Sequence, residues 1–100
     1  MFDKQKYLTC GINSKVPLAI QLSLWHMIEK ARPNVQLDYL QIFRLSVTKT
    51  NGMTVQKIIH EQENPPYKTS IDLPAVDTYS GKIYVIDDDT HSTMLLPEEY

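Results

Sequence analysis

Residues Pro17 to Arg32, PLAIQLSLWHMIEKAR, hold the one long helical pattern in this chain of 100 residues. Pro17 suits the first helical position, where its missing N–H would have no partner in any case and its fixed φ is already helical. Asn13 and Ser14 lie just upstream as candidate caps. Pro33 closes the segment, because it cannot donate to the helical ladder and disfavours α geometry at Arg32. Spacing at about 100° per residue puts Ile20, Leu24, Met27, Ile28 and Ala31 on one face and Ser23, His26 and Lys30 on a narrow polar strip. Leu18, Leu22 and Trp25 form a second apolar group. That coverage exceeds the single stripe of a helix with one side in water. One face is expected to pack on a sheet, and the Leu18, Leu22 and Trp25 side to meet a second layer, either a loop of the same chain or a partner subunit.

Downstream, Asp38 to Thr50, DYLQIFRLSVTKT, is rich in β-branched and aromatic residues. Asn51–Gly52 follows, the strongest short hairpin signal, since both residues tolerate the positive φ of a type I′ turn. Met53 to Gln62, MTVQKIIHEQ, is the returning strand. A two-residue turn fixes the register: Thr50 faces Met53, Thr48 faces Val55, Ser46 faces Lys57, Leu45 faces Ile58, Arg44 faces Ile59 and Phe43 faces His60. One face then carries Tyr39, Phe43, Leu45, Val47, Ile58 and His60, the core side that meets the helix. The other carries Arg44, Ser46, Thr48, Lys57 and Glu61, together with Ile42, Val55 and Ile59. Three aliphatics on a face that should be wet imply cover from elsewhere in the chain or from a partner.

Lys6 to Ile12, KYLTCGI, reads as a first strand with Leu8, Cys10 and Ile12 inward, which makes Cys10 a small buried hydrophobe. Beyond the hairpin, Asn64-Pro65-Pro66 forces an extended exit. Tyr67 to Leu73 has the look of an edge strand stopped by Pro74. The stretch Glu61 to Tyr79 as a whole reads better as an irregular arm over the sheet. Lys82 to Asp87 is a strand, and its run Ile83-Tyr84-Val85-Ile86 does not alternate, as in an interior strand covered on both faces. An acidic loop, Asp87 to Thr90, leads to a final strand, His91 to Leu96, ended by Pro97. The expectation is an α+β fold, a mostly antiparallel β-sheet of about four to six strands with one main helix packed on one face. Residues 1–100 form a single domain in this reading.

At 42% hydrophobic and 22% charged, the composition is that of an ordinary folded protein. A net charge of −2 argues against a nucleic-acid or anionic-membrane partner, which needs a concentrated basic surface. The single Cys10 cannot form an internal disulfide, and the opening MFDKQKY is charged without an apolar signal core, so a cytoplasmic location is expected. The helix is too short and too polar to cross a bilayer.

The opening MFDKQKYLTCGI, the Pro17-led helix with Leu24-Trp25, the DYLQIF run, the ENPPY turn and the closing IDDDTHSTMLLPEEY also form a recognisable set. Together they resemble a family of small proteins from low-GC Gram-positive bacteria described as "staphylococcal protein of unknown function". The likeness spans nearly the whole chain. It implies a small cytoplasmic bacterial protein with no assigned activity, and it brings no catalytic or binding residues with it.

Among groups that could carry chemistry, Asp87, Asp88, Asp89 and His91 are the densest, with Glu98 and Glu99 nearby. Clustered carboxylates are what Mg²⁺ or Ca²⁺ needs. The spacing lacks the central glycine and final glutamate of a calcium loop, and consecutive strand residues point to opposite faces, so a solvated acidic turn is the plainer reading. Cys10, His60 and an aspartate would compose a nucleophile, base and orienter. The register, however, sets His60 beside Phe43 on the core face, as a hydrogen-bonded core histidine. Gly11, Gly52 and Gly81 are too scattered for a phosphate loop, and one cysteine with three dispersed histidines fits no zinc site. Arg44, Lys49 and Lys57 on the hairpin's outer face, with Tyr84 as a stacking platform, would meet phosphates, but acids interleave and no nucleic-acid-reading motif is present.

The expected function is therefore a non-catalytic protein–protein binding or assembly module, without a cofactor, acting through Leu22, Trp25, Ile42 and Ile59. Its partner would be another protein or further copies of itself as a homo-oligomer. The alternative is a small-molecule-binding or metal-assisted enzyme using the Asp87 to His91 loop. A nucleic-acid-linked regulator is the third reading.

Overall fold

The computed structural model describes residues 2, 3 and 5–100; of the opening MFDKQKY, Met1 and Lys4 lie outside the described residues. The elements in order are β1 (Gln5–Leu8), α1 (Cys10–Lys15), α2 (Leu18–Ala31), β2 (Leu40–Thr50), β3 (Met53–Gln62), β4 (Tyr67–Pro74), β5 (Gly81–Asp87), β6 (His91–Leu95) and a 3₁₀ turn, Pro97–Glu99. The strands form one six-stranded sheet in the order β1-β6-β5-β2-β3-β4. Every pairing is antiparallel except β1 with β6. The fold is α+β, a mostly antiparallel sheet with one main helix. No helix among the described residues is long and apolar enough to cross a membrane.

The helix lies where its periodicity placed it, with Pro17 at the N-cap and Arg32 at the C-cap. Ile20, Leu24, Met27, Ile28 and Ala31 are all buried, in one core with Phe43, Leu45, Ile58, Ile83, Val85 and Met94 from the facing strands. The described residues do not supply the second layer expected over Leu18 and Leu22, which are 68% and 59% exposed. Trp25 is half-buried against the core, with the Lys6 ammonium 5.7 Å from its ring centroid. Asn13 and Ser14 do not cap α2. They lie in α1, where the Ser14 hydroxyl donates to the Cys10 carbonyl.

All six expected hairpin pairs occur, and the turn has positive φ at both Asn51 and Gly52, as a type I′ turn requires. Phe43, Leu45, Ile58 and His60 are buried, whereas Tyr39 and Val47 are exposed. Tyr39 precedes the strand, and Val47 lies one step nearer the turn than Leu45, the last buried residue of β2.

The first strand departs from expectation. It stops at Leu8, and Cys10 is exposed in a short helix instead of buried in a strand. The cause is Thr9, whose Oγ1 accepts the Ile12 N–H as an N-cap. The Thr9 hydroxyl in turn donates to the Glu99 carboxylate at 2.5 Å, which also accepts the N–H groups of Gly11 at 3.1 Å and Leu96 at 2.9 Å. The hydroxyl bond from Thr9, backed by those two N–H groups, holds the Glu99 carboxyl below its ordinary pKa. The carboxylate thereby fastens the C-terminal turn to the start of α1.

Residues 67–74 are not an arm over the sheet. They pair with β3 along their whole length as β4, reached through a turn at residues 63–66 with a cis Asn64–Pro65 bond instead of an extended exit. The irregular part shrinks to the segment 75–80. Gln56 pins it: its side-chain Nε2 donates to the Tyr79 carbonyl at 2.9 Å, and the Tyr79 N–H donates to its Oε1 at 2.8 Å. β5 lies between β6 and β2 as an interior strand, with Ile83, Val85 and Asp87 buried, while Tyr84 and Ile86 are half-buried on the opposite face.

A buried polar network closes one end of the core. Gln62 accepts from the Asp38 N–H and the Gln41 amide, and donates to the carbonyls of Gln36 and Pro65. Gln41 spends its amide on Asp38 and Gln62, so its Oε1 accepts from His60 Nε2 at 2.6 Å. That fixes the Nε2–H tautomer of His60 and leaves Nδ1 without a hydrogen-bond partner among the described residues. The imidazole stacks on Phe43 at 4.6 Å and meets Tyr67 edge-on. Burial drives its pKa down to about 4.

Candidate functional site

Strand pleating sends alternate residues to opposite faces of the sheet, and α2 covers only one of them. The register then writes out the other face row by row. Ile42 lies between Tyr84 on β5 and Glu61 on β3, and Ile59 lies between Arg44 on β2 and Ser70 on β4. Leu40 is flanked by Ile86, and Thr48 is opposite Val55. Ile42 and Ile59 lie on one diagonal of the square that they form with Glu61 and Arg44. Leu40, Ile42, Val55, Ile59, Tyr84 and Ile86 are all half-buried. The Tyr100 ring comes edge-on to Tyr84, with centroids 5.8 Å apart. The Arg44–Glu61 ion pair crosses between Ile42 and Ile59, so Ile42 groups with Leu40, Tyr84 and Ile86, and Ile59 lies on the far side of the pair.

Leu22 and Trp25 belong to a different surface. They lie on α2, on the far side of the sheet from Ile42 and Ile59, so the four residues singled out from sequence do not form one site. Lys49 is also apart from Arg44 and Lys57. It pairs with Thr54 and shares the parity of Leu45 and Val47, on the helix side of the sheet. Of the two expected cations that do lie on the outer face, Arg44 is paired with Glu61 and Lys57 lies opposite Asp72.

The acidic run is divided by the β5–β6 turn. Asp87 is buried, its Oδ1 accepting from the Phe2 N–H at 3.3 Å and the Ser92 hydroxyl at 3.2 Å. Asp88 organises the turn: its Oδ1 accepts from the N–H groups of Thr90 and His91 and from the Thr90 hydroxyl, and its Oδ2 lies 3.2 Å from His91 Nε2. Those bonds, led by the one from the His91 N–H, hold its carboxyl below the ordinary pKa. Asp89 takes the positive-φ position of the turn. Among the described residues, no three His, Cys, Asp or Glu side chains are grouped as a metal ion would need. Cys10 is exposed on α1, while His60 is fully buried on β3, four strands away from the β1 edge. They do not meet.

A groove of about 440 Å³ opens between the first turn of α2, at Pro17, Leu18 and Ile20, and the segment Leu73 to Asp77. Gln56 lies in its wall with its amide engaged by Tyr79. The lining is otherwise mainly apolar. Sequence reasoning missed this groove because it joins two segments whose proximity depends on β4 pairing.

The family model described as a staphylococcal protein of unknown function matches residues 5–99 of the chain. A solved structure, the protein of unknown function from Enterococcus faecalis, is similar along 98% of this chain and 92% of its own, with 30% identity and a TM-score of 0.78. No curated protein matches.

Proposed function

We infer that this chain, which belongs to the family of staphylococcal proteins of unknown function, is a non-catalytic cytoplasmic binding module whose contact surface is the open face of the sheet. The observation that carries the reading is the apolar set Ile42, Ile59, Tyr84 and Ile86. These four residues sit half-buried on the central strands, on the face opposite the helical layer. Aliphatics in mid-sheet, set around an ion pair and flanked by Lys57, Lys68 and Lys82, make the mixed apolar and charged surface of a protein interface. Leu22 and Leu18 on α2 form a second, smaller apolar surface that extends the same reading to the helix layer.

The test is affinity capture from the native cell with the wild type and with an Ile42→Lys, Ile59→Lys double variant. Both positions are half-buried on a face open to water, where a lysine stem can lie along the sheet with its ammonium in solvent, so the variant is expected to fold, which circular dichroism checks. A partner retained by the wild type and lost by the folded variant is the expected outcome. Identical capture by both chains removes the reading.

A further inference from the structure

The edge strand β4 carries a pattern that its role in this sheet does not use. Between Pro66 and Pro74 the chain reads PYKTSIDLP, and β4 is the last strand on its side of the sheet. The Ala75 N–H donates to the Thr54 carbonyl at 3.2 Å, one step beyond the Val55–Pro74 pair. Bonded and non-bonded pairs alternate along an antiparallel ladder. Leu73, Ile71, Thr69 and Tyr67 therefore exchange bonds with β3, while Asp72, Ser70 and Lys68 turn their N–H and C=O groups to the open edge.

We propose that this edge pairs antiparallel with the β4 edge of a second copy of the chain, about a two-fold axis through Ser70. In that register each Lys68 lies opposite Asp72 of the second copy, and Pro66 lies opposite Pro74. Three outward-facing residues on each strand then meet their counterparts, giving about six backbone hydrogen bonds. A slip of two residues either way sets a proline, which has no N–H, against Lys68 or Asp72, and the charge pairing is lost with the bond. The two prolines thus fix the register.

Charge supports the same partner. Within one copy Lys68 already faces Glu61 and Asp72 faces Lys57, so pairing continues an alternating row of Glu61, Lys68, Asp72 and Lys57 across the junction. A lysine on an edge strand ordinarily wards off a neighbouring strand; here the register gives it a carboxylate. On the helix side, Tyr67 comes against Leu73 of the second copy and Thr69 against Ile71. These are half-buried side chains in the non-bonded pairs where side chains approach most closely. The pairing goes beyond the contact face proposed above, because it uses the edge of the sheet and would join two open faces into one.

Sedimentation equilibrium tests it with the wild type, Lys68→Glu, Asp72→Lys and Ser70→Pro. The wild type is expected at twice the 11.6 kDa chain mass. Lys68→Glu and Asp72→Lys each place like charges opposite one another twice, and alone should weaken self-association by about tenfold or more. Mixed in equal amounts they offset each other at both contacts and should associate again. Ser70→Pro removes an N–H that β3 does not use, so a folded monomer is expected, with circular dichroism confirming the fold. A monomeric wild type at about 100 μM, single variants as tight as the wild type, a mixture no tighter than its components, or a dimeric Ser70→Pro chain would each overturn the pairing. A dimer that captures no other protein removes the contact-face reading and leaves this one standing.

Discussion

Lowering the pH should loosen this fold through one side chain. His60 is fully buried, donates from Nε2 to Gln41 and, among the described residues, has no acceptor for a proton on Nδ1. Its pKa falls from 6.5 to about 4, because burial penalises the charged ring more than nearby Glu61 favours it. In the unfolded chain the imidazole titrates near its ordinary value, so between those two pH values the unfolded state binds the extra proton. Stability is then full above about pH 6.5 and declines as the pH falls towards 4. At about 1.4 kcal/mol per pH unit, the loss amounts to about 3 kcal/mol, a large share of a small domain's stability. Urea unfolding at a series of pH values measures it, with His60→Phe as the comparison. The variant keeps an aromatic ring against Phe43 and costs about 1–3 kcal/mol by leaving Gln41 without its donor, but it should lose this component of the pH slope. Parallel pH profiles for the two chains, or a His60 ring that titrates near 6.5 by NMR, would refute the reasoning.

Other substitutions separate the core from the surface. Leu24→Ala should cost about 2–5 kcal/mol, and Leu22→Ala, on the solvent side of the same helix, less than about 0.5 kcal/mol; equal losses in denaturant melts would contradict the packing. A Cβ added at Gly11 would fall 2.7 Å from the end of Leu96 and 2.8 Å from the Glu99 carboxylate. Gly11→Ala should therefore displace that carboxylate and lower stability by about 1–2 kcal/mol, and Glu99→Gln should reproduce part of the loss. Gln56→Ala should cost about 2 kcal/mol and release the Tyr79 segment, seen as faster proteolysis between Ala75 and Ser80; an unchanged cleavage rate would count against the pin.

What could be read in the sequence was what short-range physics decides. The helix has period and proline stops, and Asn51–Gly52 fixes nine pairs of a hairpin from two residues. Thr9 was legible in principle as an N-cap, but the six residues of α1 carry no apolar period, and KYLTCGI alternates well enough to pass for a strand. β4 was concealed by the prolines around it, although Tyr67 to Leu73 alternates and prolines at both ends are what an edge strand tolerates. The parallel pairing of β1 with β6 joins the two ends of the chain, and nothing local announces it. Burial of Gln41, Gln56 and Gln62 was also beyond reach, since a glutamine is recognised as internal only when its partners in distant loops are known. Ile42 and Ile59 were placed correctly on the outer face by register alone; that Leu22 and Trp25 lie on another surface required the layer order.

We expect the open face of the sheet to meet another protein in the cell. A photo-crosslinking residue substituted for Ile59 in the native cell tests this most directly, with the same residue at Leu22 for comparison. A covalent adduct from position 59 to another protein chain is the predicted result. Irradiation that yields no adduct at position 59, in a chain shown to be folded, contradicts it.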